Sequence, residues 1–385
     1  MTRDHLTGDL GLPAGRVDAR ASAARRRAAT LVSDERLLVG PLKGYHHETY
    51  AFPLPAGDGS GRQTWWKCRD PRAGLLWFDL RAFASERELV RALQGSITRI
   101  PAVIEREDLS LYTFVEGRTL GEICPPGQPL SARHSGQLGV LFGELVSIRP
   151  ESVLASADWV AGRHPAGWKD DSAAFLTQLI DFTDVHIYQR HLPRYHSLLR
   201  GLGIRDGALD GLRAAAGALV PRPSALLHGD LHRENFIVDG RDDLWTIDWE
   251  LAVVGDPLYD LATHLHLMDY PADQQAWITG IWCRAVEDAR PGSSEGWETD
   301  LPVLRAYKRA QSVYTDVIRT ALALGGLTAE QRLRQTARPV RRIERVLAAA
   351  HRTLGLTHEP SADRVAAAYA RWFGDTAPTV TASAP

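Results

Sequence analysis

Residues 225–238 read ALLHGDLHRENFIV: an apolar run, then His228, Asp230, His232, Arg233, Glu234 and Asn235, then a second apolar run. Ionisable groups crowded into a turn between two buried segments are well placed for chemistry, because the flanking strands hold them while the turn stays accessible. The continuation, NFIVDGRDDLWTID, reads as a hairpin around a DG-containing turn. If the turn is centred between Arg241 and Asp242, Asn235 falls opposite Asp248, with Asp230 in the preceding turn. Carbonyl and carboxylate oxygens gathered in this way suit Mg2+, a hard cation that keeps several waters and takes its remaining ligands from phosphate. The expectation is a metal and acid/base platform.

The spacing His228-x-Asp230-x-x-x-x-Asn235, with Asp248 following, matches the catalytic-loop and metal-binding pattern of protein kinases. The fuller string HGDLHRENFIV…TIDWELAVVGDPLYDLATHL resembles the aminoglycoside phosphotransferase and choline kinase family, small-molecule kinases that share that fold. The second Asp at a hairpin end, followed by GDPxxDLA, gives the combination its specificity. The resemblance implies an α+β, protein-kinase-like bilobal fold with a small β-rich N-lobe and a larger, mainly helical C-lobe. It implies that Asp230 is the catalytic base, and that Asn235 and Asp248 hold Mg2+ across the phosphates of ATP or GTP. It makes His228 a buttress of the loop and Asp260 a buried tether of its backbone, while Asp256 can cap the helix whose first turn holds Pro257. His232 reads as solvated or structural.

A phosphoryl donor also needs a cation, which this fold places on its third strand. Only four basic residues are Lys (43, 67, 169 and 308), so Lys67, alternating with tryptophans in TWWKCR, stands out in a chain that otherwise chooses Arg. Its carboxylate partner is expected to be Glu86, which shares the inward stripe of Leu89, Val90 and Leu93; Glu88 points elsewhere. The phosphate-covering turn, GPLKGYHHETYAF, contains Gly40 and Gly44 but no GxGxxG, and Lys43 is a second cation there. His46 and His47, adjacent on a strand, are expected on opposite faces and are not read as a metal pair. LYTFVEGRTL resembles the family hinge, implying that main-chain groups from Thr113 to Val115 meet the purine, with Tyr112 behind the base. ATP and GTP stay open as donors.

The elements that must position these groups follow from periodicity. Strand, turn, strand is expected over RLLVGPLKGYHHETYAFPLP, a third strand over QTWWKCR, a helix over FASERELVRAL, and a further hairpin over AVIEREDLSLYTFV. Helices are expected over 131–148, 171–200, 258–269, 302–323, 328–353 and 361–373. This divides the chain into an N-terminal extension with a surface helix (1–32), a nucleotide-binding N-lobe (33–116), a catalytic and substrate-binding C-lobe (117–373) and a loose tail (374–385).

The bulk numbers narrow the class. A chain of 385 residues, 44% hydrophobic, buries a substantial core, and 45 basic against 47 acidic residues give no basic field for nucleic acid. The RRR run at 25–27 reads as a solvated face. Cys68, Cys124 and Cys283 show no CxxC spacing, so a reducing cytosol is the expected compartment. No apolar run approaches the roughly 18–20 residues of a membrane span. The acceptor is expected to be a small-molecule hydroxyl, on an aminoglycoside or on a nucleoside or sugar antibiotic. VEDARPGSSEGWETD offers Glu287, Asp288, Glu295, Glu298 and Asp300 to a cationic acceptor; Trp159, Trp168 and Tyr188 suit a less cationic one. A choline, amino-alcohol or sugar kinase and a catalytically silent nucleotide binder are the alternatives. A protein kinase is disfavoured, because no activation segment separates Asp248 from GDPLYDLA.

Overall fold

The computed structural model describes residues 22–42, 44, 46–55, 63–72, 76–106, 109–160 and 169–376. The start of the chain, Lys43, Trp168 and the tail beyond 376 lie outside them. The chain forms two compact units: residues up to Asp171 with Arg222–Glu295, and Ser172–Pro221 with the residues from Gly296 onward.

The first unit opens with helix α1 (Ala23–Thr30), capped by Ser22, whose hydroxyl accepts the Arg25 N–H at 3.0 Å. Its small face, Ala24 and Ala28, packs with Leu31 against Tyr50, Phe52, Leu54, Cys68 and Leu111. The arginine run therefore sits on the outer side, where Arg25 pairs with Glu35 and Arg27 with Asp70. The sheet beneath is antiparallel, in the order β1 (Val39–Leu42), β2 (His47–Pro55), β3 (Gln63–Pro71), β5 (Leu109–Thr113), β4 (Val103–Arg106). These are the strands expected from the sequence.

Helix α2 (Glu86–Leu93) follows β3. Ser85 caps it, and Glu86, Leu89, Val90 and Leu93 form its buried stripe, as expected. Phe83, expected inside this helix, instead bridges to Trp159. The remainder of the unit holds β6 (Gly117–Thr119), β7 (Ala225–Leu227), β8 (Phe236–Asp239), β9 (Leu244–Thr246) and β10 (Val253–Gly255). They form a three-stranded sheet, β6-β8-β9, and a two-stranded one, β7-β10. Helices Ala132–Ser147, Leu258–Met268 and Ala272–Ala289 flank them.

The Ala272–Ala289 helix was not expected. Its AWITGIW stretch is rich in aromatic and β-branched residues, which carry weak helix propensity, and packing overrides it. Gly139 lets Ala132–Ser147 come so close that a Cβ there would lie 2.8 Å from Ile281 Cγ2.

Among its described residues the second unit holds helices joined by turns: Ser172–Asp181, a wider-wound Phe182–Gln189, Arg190–Gly201, Asp210–Ala216, Trp297–Gly325, Ala329–Gln335, Ala337–Leu354 and Ala362–Thr376. Buried Tyr195, Tyr307, Tyr314 and Tyr369 dominate its core. A small antiparallel sheet thus precedes a larger helical portion, the α+β composition expected from the sequence. No described helix is long and apolar enough to cross a membrane.

Candidate active site

The loop that follows β7 is fixed from below. The buried Asp260 carboxylate accepts the N–H groups of His228 and Gly229 at 2.7 and 2.8 Å, the tether expected of it. Gly229 adopts φ +79°, and a Cβ there would meet the Leu251 carbonyl oxygen at 2.4 Å, so both conformation and close approach require glycine. His228 donates from Nε2 to the Ile247 carbonyl (3.1 Å) and accepts the Asp230 N–H at Nδ1 (3.3 Å). Burial pushes its pKa down to about 4, so it is a neutral brace. Asp256 accepts the Leu258 N–H at the head of the next helix while pairing with buried Arg222.

Asp230 emerges half-buried from this loop. Asn235 donates Nδ2–H to its main-chain oxygen (2.9 Å) and to its carboxylate Oδ2 (3.1 Å), which turns the Asn235 amide oxygen away from Asp230. His232 accepts the Glu234 N–H at Nδ1 and places Nε2 3.3 Å from the same Oδ2. Burial lowers and the Asp230 carboxylate raises the His232 pKa; the second prevails.

The hairpin register differs from expectation by one residue. Phe236 faces Thr246 and Val238 faces Leu244, so the loop is the three-residue Gly240-Arg241-Asp242, with Asp242 left-handed at φ +63°. Three-residue loops of this kind, with a left-handed third residue, are a common alternative to two-residue turns. Asn235 therefore faces Ile247, whose N–H donates to the Asn235 carbonyl at 2.9 Å, and Asp248 comes one step later. Asp248 itself is left-handed, at φ +66°. Its Oδ1 is buried and accepts no hydrogen bond among the described residues, lying 3.7 Å from Arg69 Nη1.

Above this group, β3 presents two cations on one face, Lys67 and Arg69. The expected Lys67–Glu86 pair does not form. Arg69 takes Glu86 and also approaches Asp248 and Glu250, at 3.7 and 3.4 Å, with its guanidinium 4.9 Å from the Tyr112 ring centre. A forked side chain can span three carboxylates where an ammonium addresses one point. Glu86 uses its other oxygen to accept the Trp249 N–H at 2.8 Å. Lys67 has no carboxylate within ion-pair distance among the described residues. Burial and the charge of Arg69 lower its pKa to about 8 against the pull of Asp248 and Glu250.

A family model described as "Phosphotransferase enzyme family" matches residues 66–307, from the strand of Lys67 through the loops of Asp230 and Asp248. The chain belongs to the phosphotransferase enzyme family. The enzyme class expected from the sequence, a small-molecule kinase with a hydroxyl acceptor, agrees with that membership. Among solved structures it is similar to a choline/ethanolamine kinase family protein of Mesorhizobium loti (18% identity, 89% of this chain and 98% of that one, TM-score 0.46). It is also similar to a macrolide 2'-phosphotransferase of Brachybacterium faecium (18%, 84% and 95%, 0.46) and to choline kinase of Streptococcus pneumoniae (13%, 86% and 97%, 0.49). The family assignment rests on the family model and not on these likenesses. Comparison with curated proteins gives no match.

In this phosphotransferase, Glu250 is a site residue that the sequence reading missed. It is 5% exposed and meets His47 Nδ1 at 2.6 Å and His46 Nδ1 at 3.7 Å. The two histidines converge, contrary to expectation, because β2 begins at His47 and His46 lies before it, stacked on Trp77 with ring centres 4.1 Å apart. Burial raises the Glu250 pKa, but His47, Arg69 and His46 together hold it below the ordinary carboxylate value. The signal available was position: Glu250 follows Asp248 by two residues, as Arg69 follows Lys67.

The remaining expected residues divide. Gly44 is exposed and needs no special backbone conformation; a Cβ there would sit 3.5 Å from the His47 carbonyl oxygen. At the hinge, the Thr113 N–H is taken by Ala102 O and the Phe114 N–H by Trp65 O, both at 2.9 Å, so Val115 carries the first amide beyond the ladder. In the acidic stretch, Glu287 accepts the Gly292 and Ser294 N–H groups, and buried Asp300 accepts the Val220 N–H. Glu287 is thus spent on its loop and Asp300 on the main chain at Val220.

Proposed function

We propose that the phosphotransferase moves the γ-phosphate of ATP or GTP, with Mg2+, to a hydroxyl of a small antibiotic. One observation carries this reading. Asp248 offers a buried carboxylate oxygen that accepts no hydrogen bond among the described residues, with Arg69 Nη1 at 3.7 Å; it follows the residue paired with Asn235, whose amide nitrogen donates to Asp230, and its charge acts on the Lys67 ammonium. A buried carboxylate oxygen that accepts no hydrogen bond is costly, and a cation closer than Arg69 would offset that cost. The donor set is oxygen-only and fits Mg2+, with Asn235 and Asp248 as its holders. Bound there, Mg2+ would offset negative charge on the donor phosphates.

The chain's own residues supply alignment. Lys67 meets the donor phosphates as a point charge, and Val115 presents its amide at the hinge beside Thr113. Glu86 acts at one remove, by holding Arg69 and the backbone amide of Trp249, just after Asp248. Gly44 belongs to the turn covering the phosphates. Asp230 orients the acceptor hydroxyl for in-line attack and takes its proton as the new O–P bond forms and the bond to the leaving nucleoside diphosphate breaks. Glu287 is committed to its own loop and Asp300 to the main chain at Val220, which favours an acceptor less cationic than an aminoglycoside, of the nucleoside or sugar type.

The test is incubation of the purified protein with Mg2+, ATP or GTP, and a panel of aminoglycosides, nucleoside and macrolide antibiotics, choline and sugars. A mass gain of one phosphate on an antibiotic supports the proposal. A gain on choline or a sugar alone would assign a metabolic kinase, and nucleotide binding without any product would overturn the enzyme reading.

A further inference from the structure

We infer that His232 is a positioning residue for Asp230; the inference rests on the base assignment made above. Three observations combine. His232 stands at the N-cap of the Arg233–Asn235 turn, where its Nδ1 accepts the Glu234 N–H at 3.1 Å. A neutral imidazole carries one proton, so an accepting Nδ1 puts that proton on Nε2. That Nε2 lies 3.3 Å from Asp230 Oδ2, the oxygen that also receives Asn235 Nδ2 at 3.1 Å.

One hydrogen-bond donor, Asn235 Nδ2, and one ring nitrogen at ion-pair distance, His232 Nε2, from residues five and two positions downstream, thus meet one oxygen of the base. A carboxylate on a single side-chain bond rotates; two neighbours fixed on one oxygen oppose that rotation and set the plane in which the group meets an acceptor. Asn235 is tied to the metal side of the site, so a second donor keeps Asp230 aligned independently of metal occupancy. The His232 side chain is 28% exposed, so the ring borders the open side of the loop and is not core filling.

The full-length protein tests this in two ways. In the first, MgATP hydrolysis with water as acceptor is measured for His232→Asn, which keeps an N-cap acceptor but is too short to reach Asp230, and for His232→Gln, which restores a donor at longer reach. Loss of one aligning hydrogen bond is expected to lower kcat about 10-fold in His232→Asn, with the MgATP KM within about 2-fold and most of the rate regained in His232→Gln. In an Asp230→Ala background, His232→Asn is expected to change the residual rate no further. In the second, 15N spectra of histidine-labelled, nucleotide-free protein are expected to show the His232 ring protonated at Nε2, with a signal that shifts in Asp230→Asn. Wild-type kcat in His232→Asn, or a ring protonated at Nδ1 alone, would overturn the inference. Full activity in Asp230→Ala would instead remove the base assignment beneath it.

Discussion

Arg69, not Lys67, holds the carboxylate of Glu86. The two cations of β3 therefore have separate work. Arg69 joins the strand to helix α2 and to the segment Asp248–Glu250, while Lys67 remains available to a phosphate. Replacing Arg69 by Ala leaves Glu86 buried without its cation and Glu250 with only His47 and His46, and is expected to cost about 3 kcal/mol of stability in denaturant unfolding. Lys67→Ala is expected to cost less than about 1 kcal/mol while lowering kcat/KM about 100-fold. Equal stability losses in the two variants would refute the division.

Asp230→Asn preserves the shape of the base but not its charge. The rate of phosphate transfer is expected to fall at least about 1000-fold, with nucleotide Kd, measured by calorimetry, within about 3-fold. Retained turnover would show that alignment by other groups suffices.

The pH dependence follows from Lys67. Its pKa is lowered to about 8, so the ammonium that a phosphate needs is present below that value and lost as pH rises through it. The KM for nucleotide is accordingly expected to climb between about pH 8 and pH 9, a rise that Lys67→Arg, charged throughout, should not show. A wild-type KM flat to pH 9.5 would contradict the placement of Lys67 at the phosphates.

Gly229→Ala forces a Cβ against the Leu251 carbonyl oxygen in a left-handed backbone. The loop must shift to relieve it, and about 2 kcal/mol or more of stability is expected to be lost, with kcat falling alongside because Asp230 is the next residue. Thermal unfolding and turnover measured on the same preparation check both.

The sequence reading reached far where local signals were strong. The five strands around Lys67 and the buried stripe of α2 followed from hydrophobic spacing, and the tether of Asp260 from the family resemblance. It fell short where two local solutions compete. DGRDD can close a hairpin with two residues or with three, and only a left-handed Asp242 decides between them, so the partner of Asn235 was misplaced by one. Arg69 and Glu250 escaped because alternation in a strand cannot say which of two same-face cations reaches which acid. The convergence of His46 and His47 depended on where β2 begins, and strand ends are the least determined feature of a period-two pattern.

The bond from Trp249 to Glu86 is made by the main chain, and this has an evolutionary corollary. An amide donor is common to every residue except proline, so drift at position 249 can exchange the indole without breaking the link that steadies Asp248. Position 86 has no such latitude: any replacement lacking an acceptor strands a buried N–H. Because the Trp249 indole is itself buried and packs on His228, random mutagenesis under selection for activity should accept only large apolar or aromatic side chains at 249, reject proline there, and keep a carboxylate at 86.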